Sequence, residues 1–305
     1  MEIRTVAEGL EFPEGPVALA DGSVLLVEIA AGRVSRVSPQ GVKTVVARPG
    51  GGPNGAAVAR DGKCYICNNG GFEWHDEGGR KRPVSQAKDY AGGRIERVDL
   101  ATGAVECLYR AAGEVGLKGP NDLVFDRQGG FYFSDLGKVR PREMDRGAVY
   151  YAAADGSTIT EVAFPMITPN GVGLSPDEKT LYVAETEPAR LWAFDIVEPG
   201  VVRKEPWPSP HGGRLVAGVG GYQRFDSLAL DAEGRICVAT LINGGITVIL
   251  PDGRHVEHHP MPDPITTNIC FGGPDLRTAF ITLSWTGRLV AVDWPVPGLR
   301  LNQAG

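Results

Sequence analysis

Glu14, Asn54, Asn121, Asn170, Asp226 and Asn268 each stand at the head of a short apolar run: FPEGPVALA, GGPNGAAVA, GPNDLVFD, TPNGVGL, RFDSLAL and TTNICF. An isolated Pro-Asn-Gly is ordinary turn chemistry, with the amide capping its own backbone. A polar head on every run, with a Glu at position 14, goes beyond what a turn requires. Carboxylate and amide oxygens brought to one place suit a hard divalent cation, so one Ca, Zn, Mn or Mg ion is the expected cofactor. Such an ion also offsets the cost of polar groups lining a narrow space.

The heads belong to a unit that recurs along the chain. Each head run is followed by a turn rich in Asp and Gly, a second apolar strand and a third strand that in several copies opens on Gly-Arg. The 42 glycines and 23 prolines punctuate these runs, and no long segment has helical periodicity. Six copies in 305 residues, about 50 each, predict an all-β fold: a six-bladed β-propeller of four-stranded blades. The sixth copy stops after its third strand, and the N-terminal run EIRTVAEG resembles a fourth strand, so the N-terminal strand is expected to close the ring. A single domain over 1–305 follows.

In a blade the first strand lies by the axis and the second returns antiparallel, so the heads and the second-strand ends emerge on one face. The second-strand ends read Glu28, Asn68, Asp135, Glu185, Thr240 and Leu283. Asn54, Asn121, Asn268, Glu28, Asp135 and Glu185 are therefore candidate substrate contacts. Two long segments, 69–92 and 203–225, fall on the same side and are expected to act as lids that set substrate size without contributing to the fold. The first carries His75 and Trp74, further candidates for touching substrate.

Composition narrows the partners. With a formal net charge of −6 and no basic stripe, nucleic acid is not expected. No apolar stretch has the length to span a bilayer and the N-terminus lacks a secretory pattern, so no membrane partner and a cytoplasmic location are expected. The five cysteines read as reduced thiols; Cys64 and Cys67 lie inside a strand-like run. A serine-hydrolase arrangement fares poorly: there is no G-x-S-x-G, and His255, His258 and His259 read as surface residues of an outer strand.

The order and spacing of FPEGP, GPNDLVFD with FYFSD, TPNGVGLSPDEKTLYVAET and FDSLALDAEGRICVAT resemble the senescence marker protein (regucalcin), gluconolactonase and luciferin-regenerating enzyme family over essentially the whole chain. The resemblance implies metal ligation by Glu14, Asn170 and Asp226. Asn121 matches the family's third-blade Asn, which contacts substrate or metal-bound water and in the related phosphotriester hydrolases reaches the metal. Two departures stand out. Ser227 follows Asp226 where the family often has Gly, and Gly119 stands where animal members carry Arg, which removes the basis for carrying over sugar-lactone specificity.

The implied activity is metal-dependent opening of a small-molecule lactone or related ester. Asp226 is the candidate general base and Asn121 the residue that orients substrate or water. The alternatives are a non-catalytic binding platform, and an isomerase or phosphotriester hydrolase using the same site.

Overall fold

The computed structural model describes residues 1–302, without the side chains of residues 255 and 256. The turns between first and second strands are the same turn made six times. An Asp side chain (Asp21, Asp61, Asp126, Asp177, Asp231, Asp275) accepts the backbone N–H two residues on, at 2.9–3.1 Å. Each turn joins two strands buried on both faces, which accounts for their near-continuous apolar character.

Antiparallel sheets follow around a ring, giving a six-bladed β-propeller with, among the described residues, one 3-10 turn at Ile29–Ala31. The inner strands are Pro13–Ala18, Pro53–Val58, Pro120–Phe125, Pro169–Leu174, Arg224–Leu230 and Thr266–Gly272. The sixth blade is completed by the N-terminal strand Ile3–Ala7, antiparallel to Arg288–Asp293, as the sequence predicts. Neighbouring blades share apolar cores, such as Tyr65, Phe125, Phe131 and Phe133 between the second and third. No helix among the described residues is long and apolar enough to cross a membrane.

Every inner strand carries a β-bulge at its head. Pro53 pairs with Asn68 and Ala56 with Ile66, so three steps along the inner strand match two on its neighbour; the third, fourth and fifth blades repeat this, and the first and sixth also break register at the head. A bulge re-aims the side chains it carries. It also sits where residues on successive blades nearly touch: a Cβ at Gly55 would lie 2.4 Å from the Asn121 carbonyl oxygen.

At the opposite end of the axis the C-terminal stretch crosses the tunnel. Ala232 N–H donates to Pro297 O, Leu299 N–H to Leu230 O and Gly298 N–H to Leu276 O. Leu299 and Leu301 help close a cavity of about 170 Å³ lined by Leu123, Val172, Leu230 and Ile269.

Two expectations are corrected. The segment 203–225 is not simply a lid, because Val201–Arg203 and Arg214–Gly218 both pair with the third strand Arg190–Glu198 and form the outer edge of the fourth blade. His211 within it is buried, its ring 4.4 Å from Trp192. His258 and His259 are half-buried rather than on the surface: His258 Nδ1 is 3.1 Å from Thr247 Oγ1, and His259 packs at 4.8 Å on Trp294. The side chain of His255 lies outside the described residues.

Ring closure leads to a test. Deleting residues 1–7 leaves Arg288–Asp293 as an open edge, the geometry that templates aggregation. The expected result is a fall of at least about 10 °C in the thermal midpoint with concentration-dependent light scattering; an unchanged midpoint would show the closure to be dispensable.

Candidate metal and active site

All six heads are buried, between 3% and 8% exposed, at the upper end of the inner strands. Glu14 Oε2 accepts from Gly15 N–H at 2.6 Å and Asn268 Nδ2 at 2.7 Å. Asn170 Nδ2 donates to Thr186 Oγ1 at 3.1 Å, and its side chain also hydrogen-bonds Asp226. Hydroxyls at or just past the ends of second strands fix the backbone at the heads: Ser134 donates to Asn170 O, and Ser284 to the O of Pro13, just before Glu14, at 2.6 Å.

One member of the site escaped sequence reading. Asp122, next to Asn121, also lies at the axis, because the bulge between Pro120 and Leu123 breaks the alternation that would have turned it away. Its carboxylate accepts from Leu123 N–H at 2.9 Å and hydrogen-bonds Val172 N–H and Ser227. The available signal was Asp where three other heads, Glu14, Asn54 and Asn170, are followed by Gly.

Glu14, Asp122 and Asp226 feel one another. Burial, opposed by hydrogen bonds from Asn268 and Gly15, pushes Glu14 up to about 7. Burial and the nearby Glu14 charge push Asp122 up to about 8. Burial, then Glu14, then Asp122 drive Asp226 well above the usual carboxylate range. None of the main contributions to the three comes from a cation among the described residues.

Among the described residues no group of three or more His, Cys, Asp or Glu side chains is arranged as a metal centre. A set that fits a cation must therefore draw on amide oxygen, which Asn170 could supply beside Glu14 and Asp226 once its Oδ1 edge turns from Ser227 to the axis. Asn121 Oδ1, buried without a hydrogen-bond partner, adds an oxygen with unspent capacity. The donor chemistry fits a hard dication: oxygens only, two of them carboxylates whose charges burial leaves uncompensated.

The outer carboxylates do different work. Glu28 is bonded by Arg33 Nε at 2.8 Å, Ser35 Oγ at 2.6 Å and Glu11 N–H at 2.9 Å. Although burial raises it, Arg33 and the other donors bring it down to about 2. Asp135 accepts three backbone N–H groups, from Lys118, Gly119 and Gly137. Glu185 accepts from Ile167 N–H at 2.6 Å and Trp192 Nε1 at 2.7 Å. Glu11, Lys118, Gly119 and Ile167 all lie just ahead of an inner strand, so these side chains clamp the segments that deliver the heads. Their lone pairs are committed to that clamp rather than offered to a ligand.

The insertion after the second blade's second strand forms a hairpin, Phe72–Glu77 with Arg80–Gln86. Contrary to expectation it contributes to the packing of the fold. Trp74 stands on Phe12 at 5.0 Å, Lys81 pairs with Glu11 at 2.7 Å and the Arg80 guanidinium lies over Trp285. At its base the buried Lys138 donates to Asn69 O at 2.9 Å and Gly71 O at 2.7 Å, its ammonium 4.3 Å from the Phe72 ring. Burial lowers this amine to about 7. His75 is exposed on the hairpin and is not brought to the heads; Trp74 faces Phe12, two residues before Glu14.

The model of the SMP-30/gluconolactonase/LRE-like region matches residues 12–284. The chain belongs to this family. A lactonase drp35 of Staphylococcus haemolyticus is 30% identical over 257 residues, covering 84% of this chain and 71% of the relative. Among solved structures, a gluconolactonase of Xanthomonas campestris superposes with a TM-score of 0.73 at 24% identity, covering 97% of this chain and 89% of that one. A regucalcin of Agrobacterium tumefaciens, described as a calcium-binding protein, superposes with a TM-score of 0.76 at 22% identity and 98% coverage of both. Lactone hydrolysis is thus supported at the level of the family.

The raised carboxylates give a pH test. Between about 4 and about 8 the folded protein binds more protons at the axis than the unfolded chain, so stability is greatest at low pH and falls as pH rises through the folded values. Urea midpoints of chelated protein should decline from pH 5 to pH 8, once the opposite contribution of Glu28 at the acid end is removed by comparison with Glu14→Gln. Added dication should flatten the decline. A Glu14→Gln profile identical to wild type would show that the charges are not buried together.

Proposed function

We propose that the protein is a divalent-metal-dependent hydrolase that opens a small lactone or related ester at the upper end of the propeller axis. The observation that carries this reading is the burial of Glu14, Asp122 and Asp226 within one another's field, with no cation among the main groups of the described residues that set their proton affinity. A dication held by Glu14, Asn170 and Asp226 would balance that charge and supply Lewis-acid polarisation of the substrate carbonyl. The lactonase names among the relatives, and the calcium-binding description of the regucalcin structure, agree with this chemistry.

The chain's own groups take separate roles. Asp226, carboxylate and candidate base, takes the proton of the attacking water. Asn121 turns its amide N–H toward the oxygen on which charge develops. Asn268 restrains Glu14 through the 2.7 Å contact, leaving Glu14's other oxygen for the cation. The hairpin limits the approach of water and large substrates from the side of the first and sixth blades.

Chelated protein reloaded with Ca²⁺, Mn²⁺, Mg²⁺ or Zn²⁺ is to be assayed by a pH indicator against sugar lactones, aliphatic lactones and aryl esters. Asp226→Asn and Glu14→Gln should lose both ion uptake and turnover. Asn121→Ala should keep the ion while turnover falls about a hundred- to a thousandfold, the effect of removing one oxyanion contact. Full activity in Asp226→Asn on a substrate the native protein hydrolyses would overturn the proposal, as would a native protein that takes up ion but turns over none of these substrates.

A further inference from the structure

The residue after each head governs how closely successive inner strands approach. At Gly171 a Cβ would lie 2.6 Å from Leu228 N and 2.8 Å from Asp226 O, so the fourth and fifth blades meet there backbone to backbone. The third, fifth and sixth blades carry Asp122, Ser227 and Ile269 in that place, and Ser227 is 1% exposed. Its hydroxyl has no room to face water.

That hydroxyl joins groups from three blades. Ser227 Oγ lies 3.4 Å from Asn170 Oδ1 of the fourth blade and hydrogen-bonds the Asp122 carboxylate of the third. A hydroxyl has one proton and two lone pairs, whereas a carboxylate only accepts and an amide offers an acceptor at one edge and donors at the other. If the proton goes to Asn170 Oδ1, that oxygen is held toward Ser227 and the Nδ2 edge faces Thr186 and Asp226, the arrangement observed. If the proton goes to Asp122, the lone pairs can accept from Nδ2, and the amide turns its oxygen toward the axis. Thr186 Oγ1, also a hydroxyl, serves either orientation. Neither glycine nor alanine at 227 could provide this.

We propose that Ser227 is a positioning residue that sets which edge of the Asn170 amide faces the axis, and through it the affinity of the Glu14, Asn170 and Asp226 set for a divalent cation. This rests on the metal-dependent reading above and adds a determinant that the two carboxylates do not contain. Ser227 touches neither substrate nor ion; it acts through Asn170 and Asp122.

The test is calorimetric titration of chelated protein with CaCl₂ and with MnCl₂. Ser227→Ala, which releases the Asn170 oxygen to turn toward the axis, should bind each ion about tenfold more tightly, the upper range for one net hydrogen bond, and Ser227→Thr, which keeps the hydroxyl, should bind more weakly than Ser227→Ala. At saturating ion wild type and Ser227→Ala should turn over within about threefold of one another, because no group contacting substrate is changed. In urea unfolding without ion, Ser227→Ala and Asn170→Ala should be non-additive, as expected of residues in contact. Ion affinity unchanged in Ser227→Ala, or strictly additive unfolding, would overturn the role of Ser227. A wild-type protein that takes up neither ion would instead sink the metal reading itself, so the two failures are distinguishable.

Discussion

Like charges held out of water are the constraint around which this propeller is arranged. Glu14, Asp122 and Asp226 come from the first, third and fifth blades, and burial of each raises its own proton affinity and that of the others. A single strand could not present them together, since strict alternation sends successive side chains to opposite faces. The bulge repeated in every inner strand relaxes that rule at one level of the axis. Glycines beside the heads then let the strands close up until a methyl group would not fit, as at Gly55 and Gly171.

Carboxylates of the same chemical type serve opposite ends a short distance apart. Glu28 is met by a guanidinium, a hydroxyl and a backbone N–H, so its charge is stabilised and fixed in the structure. Glu14 meets an amide, a hydroxyl and one N–H but no cation, so its charge is left partly unpaid for. The outer residues hold the chain that enters each inner strand, and the inner residues hold a field that a cation can satisfy. At the axis the buried Asn121 Oδ1, left without a hydrogen-bond partner, is an oxygen still open to a ligand.

The hairpin shows how a peripheral insertion can be tied to the rigid frame. Phe12 lies two residues before Glu14 and carries Trp74 on its face, while Lys138 holds the two carbonyls at the hairpin's base. The insertion is thereby coupled to the strand that delivers one carboxylate and to the loop that follows the third blade's second strand. An ammonium so fully buried is retained because two carbonyls and an aromatic face replace its water.

The propeller, its six units, its closure by the N-terminal strand and the polar heads were all legible in the sequence, because each rests on local chemistry: Asp-Gly turns, short apolar runs and a repeated order. The division of labour was not. Glu28, Asp135 and Glu185 look like Glu14 in the chain, and only the donors brought to them, Arg33 or the N–H groups ahead of the same blade's inner strand, separate clamp from candidate ligand. Asp122 was hidden because its direction depends on a bulge, a register between two strands that no spacing in one strand records. Ser227 read as a departure from Asp-Gly and became a contact among three blades only once the ring had closed. Residue type and order specify which groups can be charged or bonded locally; which charges share a field, and which lone pairs remain unspent, depend on distances across blades that exist only in the folded ring.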